Sequence, residues 1–127
     1  MTDYTTVNAR ARRIRLVVLD VDGVLTDGSI WTGADGELVK RFYTRHGLGI
    51  KMLQSTGIPV AILTGRLSAQ TAARAAELGI TLVKQGKQFK TDAFRELIAE
   101  VGVTPEETAY MGDDVPDIPV LKTAGLA

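Results

Sequence analysis

The stretch VVLDVDGVLTDG, residues 17–28, constrains the fold more than any other part of the chain, because it sets three aspartates in an apolar run. Residues 14–20, IRLVVLD, are rich in β-branched side chains, which is typical of a strand buried on both faces. An unpaired carboxylate is costly to bury, so Asp20 must stand where this strand leaves the core. Asp22 points the same way in an extended chain, and Gly23 permits a sharp turn. Two carboxylates are therefore expected together at the end of a strand.

The rest of the chain alternates strand and helix patterns. The strand patterns after the first lie at 58–64, 80–84 and 108–113, and the helical patterns lie at 46–57, 68–79 and 91–102. Repeated strand–helix units predict an α/β fold, with a parallel sheet flanked by helices on both faces. Ligand sites of such sheets lie beyond the carboxyl ends of the strands.

Two of the helical patterns carry clear boundary signals. Ser68 is the predicted N-cap of one helix, in which alanines 69, 72, 73 and 76 form one face. The apolar face of the other includes Phe94 and Leu97, and that helix is expected to end at Gly102.

Residues 29–43, SIWTGADGELVKRFY, break the alternation and predict a small β-hairpin inserted after the first strand. Asp35-Gly36 is a strong signal for a type I′ turn. An isolated hairpin is only marginally stable, so this one must pack on its own domain or on another subunit. The sequence leaves both alternatives open.

Composition excludes several classes of protein. A chain of 127 residues that is 45% hydrophobic fits a single domain, residues 1–127. Its 15 basic and 15 acidic residues cancel, which gives no case for nucleic acid or a membrane as partner, and the arginine-rich residues 8–15 are expected to be a solvated lead-in to the first strand. The chain has no cysteine, no visible signal peptide and no apolar run of membrane-spanning length. A cytoplasmic location is the expectation.

Polar residues stand at every predicted strand end, and these ends meet at one edge of a parallel sheet. The pocket is expected to hold the acids Asp20, Asp22, Asp113 and Asp114, with Thr64 and Lys90 opposite them. Four acids this close cannot all ionise unaided, and a divalent cation resolves their repulsion. Oxygen ligands suit Mg²⁺, and a lysine and a hydroxyl beside it describe a phosphate site.

These motifs resemble those of the haloacid dehalogenase (HAD) superfamily: DVDGVLTD is similar to its first motif, ILTGR to the second, Lys90 to the third and GDDVPD to the fourth. More narrowly, the chain resembles the small capless phosphatases of 3-deoxy-D-manno-octulosonate 8-phosphate, which make lipopolysaccharide precursors in the Gram-negative cytoplasm. The resemblance implies a Rossmann-like HAD-type sheet and a Mg²⁺-dependent hydrolase of a sugar-acid phosphate. It also implies a homotetramer assembled through the 29–43 hairpins.

The resemblance implies a role for each matching acid. Asp20 is the implied nucleophile, which forms an aspartyl phosphate, and Asp22 the implied general acid and then general base. Asp20, the Asp22 carbonyl and Asp113 are implied to bind Mg²⁺, with Asp114 and the more remote Asp117 supporting its water shell. The remaining matches are implied to face the substrate: Thr64 and Lys90 at the phosphoryl oxygens, and Gly65, Arg66, His46 and Gly47 near the sugar.

Three features depart from the family pattern. His46 stands in RHGLG where the family usually has Asp, which is either a tolerated loop change or a source of altered sugar selectivity. Phe89 replaces the usual Asp before the third-motif lysine and is expected to pack against the sheet. Without that Asp, Lys84, Lys87 and Lys90 are all candidates for the third-motif lysine, and the spacing after QG favours Lys90. The sequence ends at KTAGLA, so the C-terminal part of the family domain is expected to be absent, by truncation or by nature.

Three alternative functions stay open at this stage. The enzyme could act on a nine-carbon sialic-type sugar 9-phosphate or have broad specificity, since the motifs are shared. A receiver-like phosphoacceptor domain has a similar acid pocket. Its paired acids usually close the first strand and its phosphoacceptor lies far downstream, whereas here DVDG closes the first strand and GDD comes last. A weakly active scaffold would use the hairpin for assembly, although the intact Asp20 and Asp22 argue against it.

Overall fold

The computed structural model describes residues 4–127, apart from the side chain of Leu38. The helices are α1 Tyr4–Ala11, α2 Thr44–Ser55, α3 Ala69–Glu77, α4 Lys90–Val101 and α5 Ile118–Leu121. The strands are β1 Leu16–Leu19, β2 Trp31–Gly33, β3 Gly36–Val39, β4 Val60–Leu63, β5 Leu82–Lys84 and β6 Thr108–Met111. Short 3₁₀ turns at Pro105–Glu107 and Val115–Asp117 precede β6 and α5. No helix within residues 4–127 combines the length and apolar character that a bilayer span requires.

Four strands form the predicted parallel sheet, in the order β5-β4-β1-β6. β1 lies in the middle, where Val18 stands opposite Ala61 of β4 and Tyr110 of β6. The amide of Asp20 continues the ladder by donating to the carbonyl of Met111, at 3.0 Å. The α/β prediction is confirmed, and Asp20 lies at the centre of the carboxyl edge.

The sheet separates two apolar clusters, as expected for strands covered on both faces. One contains Leu16, Val18 and Phe94, and the other contains Leu19 together with Ile50 of α2 and Ala75 of α3. Side chains of β1 alternate between them, because successive residues of a strand point to opposite faces. The site at the end of β1 is therefore supported from both sides.

The boundary of α3 is predicted correctly, but its buried face is not. The Ser68 hydroxyl accepts from the Thr71 amide at 3.2 Å, which confirms the N-cap. The alanines at 69, 72, 73 and 76 are exposed, whereas Thr71 and Ala75 are buried in line with Leu78. Burial of alanine removes little apolar area, so the larger Leu78 decides which face meets the sheet.

Two segments differ from the sequence interpretation at the N-terminal side. The arginine-rich stretch is expected to be solvated, and none of the residues of α1 is buried, but residues 8–11, the first half of the stretch, belong to α1 rather than to a simple lead-in. In the hairpin, Ala34 and Asp35 form the turn between Gly33 and Gly36, so the type I′ prediction at Asp35-Gly36 is wrong. That turn needs positive φ at both central residues, and within residues 4–127 only glycines have positive φ.

Phe89 does not pack against the sheet, contrary to the prediction from its position before Lys90. It is the N-cap of α4, its side chain makes no capping hydrogen bond, and the residue is 74% exposed. The backbone of Phe89 is extended, at φ −104° and ψ 93°, which is the conformation from which a short polar side chain caps a helix. The first amides of α4 therefore lack the partner that an aspartate at this position would supply.

We expect Phe89→Asp to stabilise the protein by about 1 kcal/mol, because the carboxylate caps α4 and opposes its dipole. The melting temperature should rise by about 3 °C. Phe89→Ala, which removes the exposed ring without adding a cap, is the matched control and should change little. Equal melting temperatures for the two variants would contradict the capping account.

Candidate active site

Asp20 is a carboxylate held at the buried edge of the sheet. It is 5% exposed, and its Oδ1 accepts from the Val21 amide at 2.7 Å. Burial raises the pKa of Asp20, while the Val21 amide and the charge of Lys90 act in the opposite direction. An ionised Asp20 is thus costly here and needs cations close by.

Lys90 supplies one of those cations from the first residue of α4. Its Nζ lies 2.6 Å from Asp117 Oδ1 and 3.2 Å from Asp20 Oδ2, with all three side chains buried. Of the other two candidate lysines, Lys84 pairs with glutamates of α4 at the surface and Lys87 lies at the rim of the pocket. The geometry brings Lys90, and neither of the others, to Asp20.

Asp117 anchors this lysine more directly than the sequence suggests. It is fully buried and accepts hydrogen bonds from Lys90, the Tyr110 hydroxyl and the Asp114 amide. Burial favours the protonated form, but the bonds from Lys90 and Tyr110 outweigh it and lower the pKa of Asp117. Burial and the Asp117 carboxylate raise the pKa of Tyr110, which stays a donor. Asp117 thus serves as the fixed counter-ion of Lys90.

The remaining carboxylates fit a hard divalent cation such as Mg²⁺. Oxygens of Asp20, Asp113 and Asp117 lie within 4.8 Å of one another. Because Asp117 is committed to Lys90 and Tyr110, Asp20 and Asp113 are the two left to hold a metal. Gly23 makes room for this approach, since a Cβ there would lie 1.7 Å from Asp113 Oδ2. Carboxylate oxygens are the donors that Mg²⁺ prefers.

The predicted residues line one open cavity of about 620 Å³ at the carboxyl edge of the sheet. The predicted members that the structure brings together there are Asp20, Asp22, Thr64, Gly65, Arg66, Lys90, Asp113 and Asp114. Additional lining residues are Gly28, Ile30, Lys87, Gln88 and Pro116. Acids, a buried threonine and three cationic side chains around one space form a pocket suited to a phosphorylated ligand with a metal.

His46 and Gly47 do not line this cavity. His46 lies in a second cleft of about 540 Å³ beside Arg41 and the ring of Tyr43. Gly47 is buried in α2, where a Cβ would stand 2.6 Å from an Arg74 guanidinium nitrogen. Within one chain, this first turn of α2 packs against α3 and is separate from the acid pocket.

Asp27, the third aspartate of the opening stretch, has a local role. Its carboxylate accepts from the Ser29 amide at 2.9 Å and pairs with Arg41 at 3.2 Å. The Ser29 hydrogen bonds and the Arg41 charge hold the pKa of Asp27 below its usual range. It shapes the chain that leads into the hairpin.

Two charged hairpin residues reach the site and are absent from the sequence prediction. The Nζ of Lys40 donates to Asp22 Oδ1 at 2.5 Å and lies 3.4 Å from Glu37 Oε2. Burial opposes ionisation of Glu37, but the Ser68 hydrogen bond and the Lys40 charge prevail and lower its pKa. The one sequence signal is a glutamate and a lysine three residues apart in the hairpin, and nothing in it points to Asp22.

An α/β domain with this acidic edge and this buried lysine suits phosphoryl transfer, and comparison with known proteins identifies the class as hydrolase. A model of haloacid dehalogenase-like hydrolases matches residues 48–125. The chain belongs to the haloacid dehalogenase-like hydrolase family.

Curated relatives are phosphatases of one sugar-acid phosphate. The chain is 46% identical over 121 residues to the 3-deoxy-D-manno-octulosonate 8-phosphate phosphatase KdsC of Escherichia coli (strain K12), covering 95% of this chain and 64% of that protein. It is 47% identical over 116 residues to KdsC of Haemophilus influenzae, with 91% and 64% covered. The chain thus spans 64% of the length of these relatives.

Solved structures of similar proteins share the fold. The 3-deoxy-D-manno-octulosonate 8-phosphate phosphatase of Yersinia pestis matches with a TM-score of 0.91 at 46% identity, covering 94% of this chain and 65% of that one. The enzyme of Moraxella catarrhalis, in complex with magnesium ion, phosphate ion and KDO, matches with a TM-score of 0.92 at 40% identity, covering 97% and 71%.

We expect Lys90→Met to lower the free energy of unfolding by about 3–5 kcal/mol, because two buried carboxylates lose their counter-ion. Lys90→Met/Asp117→Asn should be more stable than Lys90→Met alone, since it removes one of the unpaired charges. Lys84→Met is the matched control at the surface and should change little. Urea unfolding measures all three, and a double variant no more stable than Lys90→Met would contradict the ion-pair account.

We expect Gly23→Ala to weaken Mg²⁺ binding by at least about 10-fold, because its methyl group displaces Asp113. Gly57→Ala is the control, since Gly57 has a similar φ of +90° and a Cβ there meets nothing within 4 Å. Both variants carry the backbone cost of positive φ, whereas only Gly23→Ala touches an acid. Calorimetric titration with Mg²⁺ separates them, and equal affinities would argue against Asp113 as a ligand.

Proposed function

We propose that the chain is a Mg²⁺-dependent phosphomonoester hydrolase that uses Asp20 as nucleophile. The observation that supports this best is the buried Asp20 carboxylate, with Lys90 at 3.2 Å and the Asp113 carboxylate close by. A structural ion pair needs no third acid at the mouth of a cavity. A phosphoryl-transfer site needs this set, because its task is to position the phosphoryl group and neutralise its charge.

The proposed substrate is a sugar-acid phosphate, most specifically 3-deoxy-D-manno-octulosonate 8-phosphate. Support comes from relatives with that name at 46–47% identity, and from the KDO and phosphate in the Moraxella structure. The cavity also suits an anionic substrate, since Arg66 and Lys87 line its rim. Product formation would serve lipopolysaccharide precursor synthesis.

The proposed reaction proceeds in two displacements at phosphorus. Asp20 attacks, the bond from phosphorus to the sugar oxygen breaks, and the leaving oxygen takes a proton from Asp22. Water then attacks the aspartyl phosphate while Asp22 takes its proton, which releases inorganic phosphate and regenerates Asp20. The environments suit this division, because Asp20 is buried against Lys90 at the sheet edge, whereas Asp22 lies further out, half-buried at the pocket wall.

The other site residues hold groups in place for these steps. Bound Mg²⁺, held by Asp20, Asp113 and the Asp22 carbonyl, would neutralise phosphoryl charge. Thr64, buried at the end of β4, and Lys90 are proposed to hold the phosphoryl oxygens. Asp114 and Asp117 are proposed to support the metal's surroundings, Asp117 through Lys90. Gly65 and Arg66 are proposed to face the sugar.

Assembly and location complete the proposal. We infer that residues 1–127 form one phosphatase domain in a cytoplasmic homotetramer joined through the 29–43 hairpins. Trp31 and Val39 on the hairpin are both more than half exposed, and an interface would bury them. His46 and Gly47 do not line the acid pocket of one chain, so we propose that they contact substrate only in the assembled enzyme.

Phosphate release from 3-deoxy-D-manno-octulosonate 8-phosphate tests the function, beside a sialic-type 9-phosphate and 4-nitrophenyl phosphate. We expect Mg²⁺-dependent turnover with preference for the eight-carbon substrate, reversibly lost on chelation. Turnover of the aryl phosphate alone would keep the chemistry and contradict the sugar assignment. No turnover of any substrate would favour the scaffold alternative.

Asp20→Asn should abolish turnover and raise the melting temperature in the absence of divalent metal. The folded pKa of Asp20 is raised, so ionisation above that value costs stability, and the neutral amide removes this cost. Thermal unfolding at pH 7 with chelator measures the gain. Retained turnover would exclude Asp20 as nucleophile, whereas a lower melting temperature would contradict only the electrostatic account.

A further inference from the structure

We propose that Lys40, which follows the hairpin strand β3, is a positioning residue for Asp22. It holds one carboxylate oxygen and leaves the other to exchange the proton with the leaving group and the attacking water. This inference rests on the proposed function, in which Asp22 is the general acid and base. It makes the hairpin part of the catalytic apparatus as well as an assembly element.

The contact between Lys40 and Asp22 is one-sided. The Lys40 Nζ meets Asp22 Oδ1 at 2.5 Å, and its side chain is only 2% exposed. Within residues 4–127, no hydrogen bond or ion pair engages Asp22 Oδ2. A cation on one oxygen makes the two oxygens of a carboxylate inequivalent. Oδ2 is therefore the oxygen left to face the substrate.

Glu37 fixes Lys40 from the opposite side. Its Oε2 lies 3.4 Å from Lys40 Nζ and 3.7 Å from an Arg66 nitrogen, and its Oε1 accepts from the Ser68 hydroxyl at 2.6 Å. Ser68 is also the N-cap of α3. Glu37 thus links the hairpin to Arg66 and to the N-cap of α3, and it helps to hold the Lys40 ammonium beside Asp22.

A purely structural ion pair is the alternative explanation. It would attach the hairpin to the domain, and its loss would disturb the whole pocket, including Arg66. Such a disturbance lowers turnover of every substrate alike and adds to the effect of an Asp22 substitution. A residue that acts through Asp22 has two different signatures: dependence on the leaving group, and no further effect once Asp22 is changed.

The experiment compares 3-deoxy-D-manno-octulosonate 8-phosphate, whose alkoxide leaving group needs a proton, with 4-nitrophenyl phosphate, whose phenolate does not. We expect Lys40→Met to lower kcat/KM for the sugar phosphate by about 100-fold and kcat/KM for the aryl phosphate by less than about 5-fold, because kcat/KM covers only the steps up to departure of the leaving group, where the alkoxide alone needs a proton. Hydrolysis of the aspartyl phosphate is common to both substrates and enters kcat alone. Lys40→Arg, which keeps the charge, should recover at least about a tenth of the lost kcat/KM.

Asp22→Asn and the double variant Asp22→Asn/Lys40→Met close a thermodynamic cycle on both substrates. The double variant should be no slower than Asp22→Asn, because Lys40 acts only through Asp22. Lys51→Met, at an exposed lysine of α2, is the matched control and should match the wild type. If Lys40→Met does not fold, Lys40→Gln takes its place, since it keeps a polar group at this buried position but removes the charge that faces Asp22.

Equal losses on the two substrates, or additive losses in the double variant, would overturn the positioning role while leaving the phosphatase intact. A Lys40→Met variant as fast as the wild type would also overturn it. A wild type without turnover of either substrate would overturn the proposed function, and this inference with it.

Discussion

The site depends on one buried cation between two buried carboxylates. Lys90 lies 2.6 Å from Asp117 and 3.2 Å from Asp20, in surroundings where an unpaired charge of either sign is costly. Asp117 has further donors in Tyr110 and the Asp114 amide, so it stays ionised and holds the lysine. Asp20 has fewer donors and a raised pKa. The unequal support is consistent with the proposed role of Asp20 as the reactive member of the cluster.

This arrangement requires close approach of the loops that follow β1 and β6. A side chain at Gly23 would overlap the Asp113 carboxylate, and one at Gly112 would lie 2.3 Å from Asp117 Cγ. Gly23 therefore lets acids that follow neighbouring strands share one space, and Gly112 makes room for the Asp117 carboxylate that follows the same strand. Electrostatics and sterics act in opposite directions here, because the packing that brings the carboxylates together also makes their repulsion severe. A divalent cation bound between the carboxylates would relieve this repulsion.

Much of this site follows from where polar residues stand relative to strand ends. Asp20, Thr64, Lys90 and Asp113 are predicted at one sheet edge, and the structure places them around one cavity. Strand order and helix faces are decided by tertiary packing, which explains the error on α3, where Leu78 outweighs four alanines. The contact between Lys40 and Asp22 spans 18 residues and depends on how the hairpin folds back. Local spacing carries no information about such a contact. The exposed position of Phe89 likewise follows from the cap geometry of α4.

Asp20 and Asp22 are separated by one residue but lie in different electrostatic environments. Asp20 turns inward and meets a lysine delivered by α4, with its partner oxygen on a backbone amide. Asp22 lies further out and meets a lysine delivered by the hairpin on a single oxygen. The first environment holds both oxygens of Asp20 in fixed directions, whereas the second leaves one oxygen of Asp22 without a partner among the described residues. In the proposed mechanism, this difference between the two environments separates a nucleophile from an acid–base group, and it requires both α4 and the hairpin to be in place.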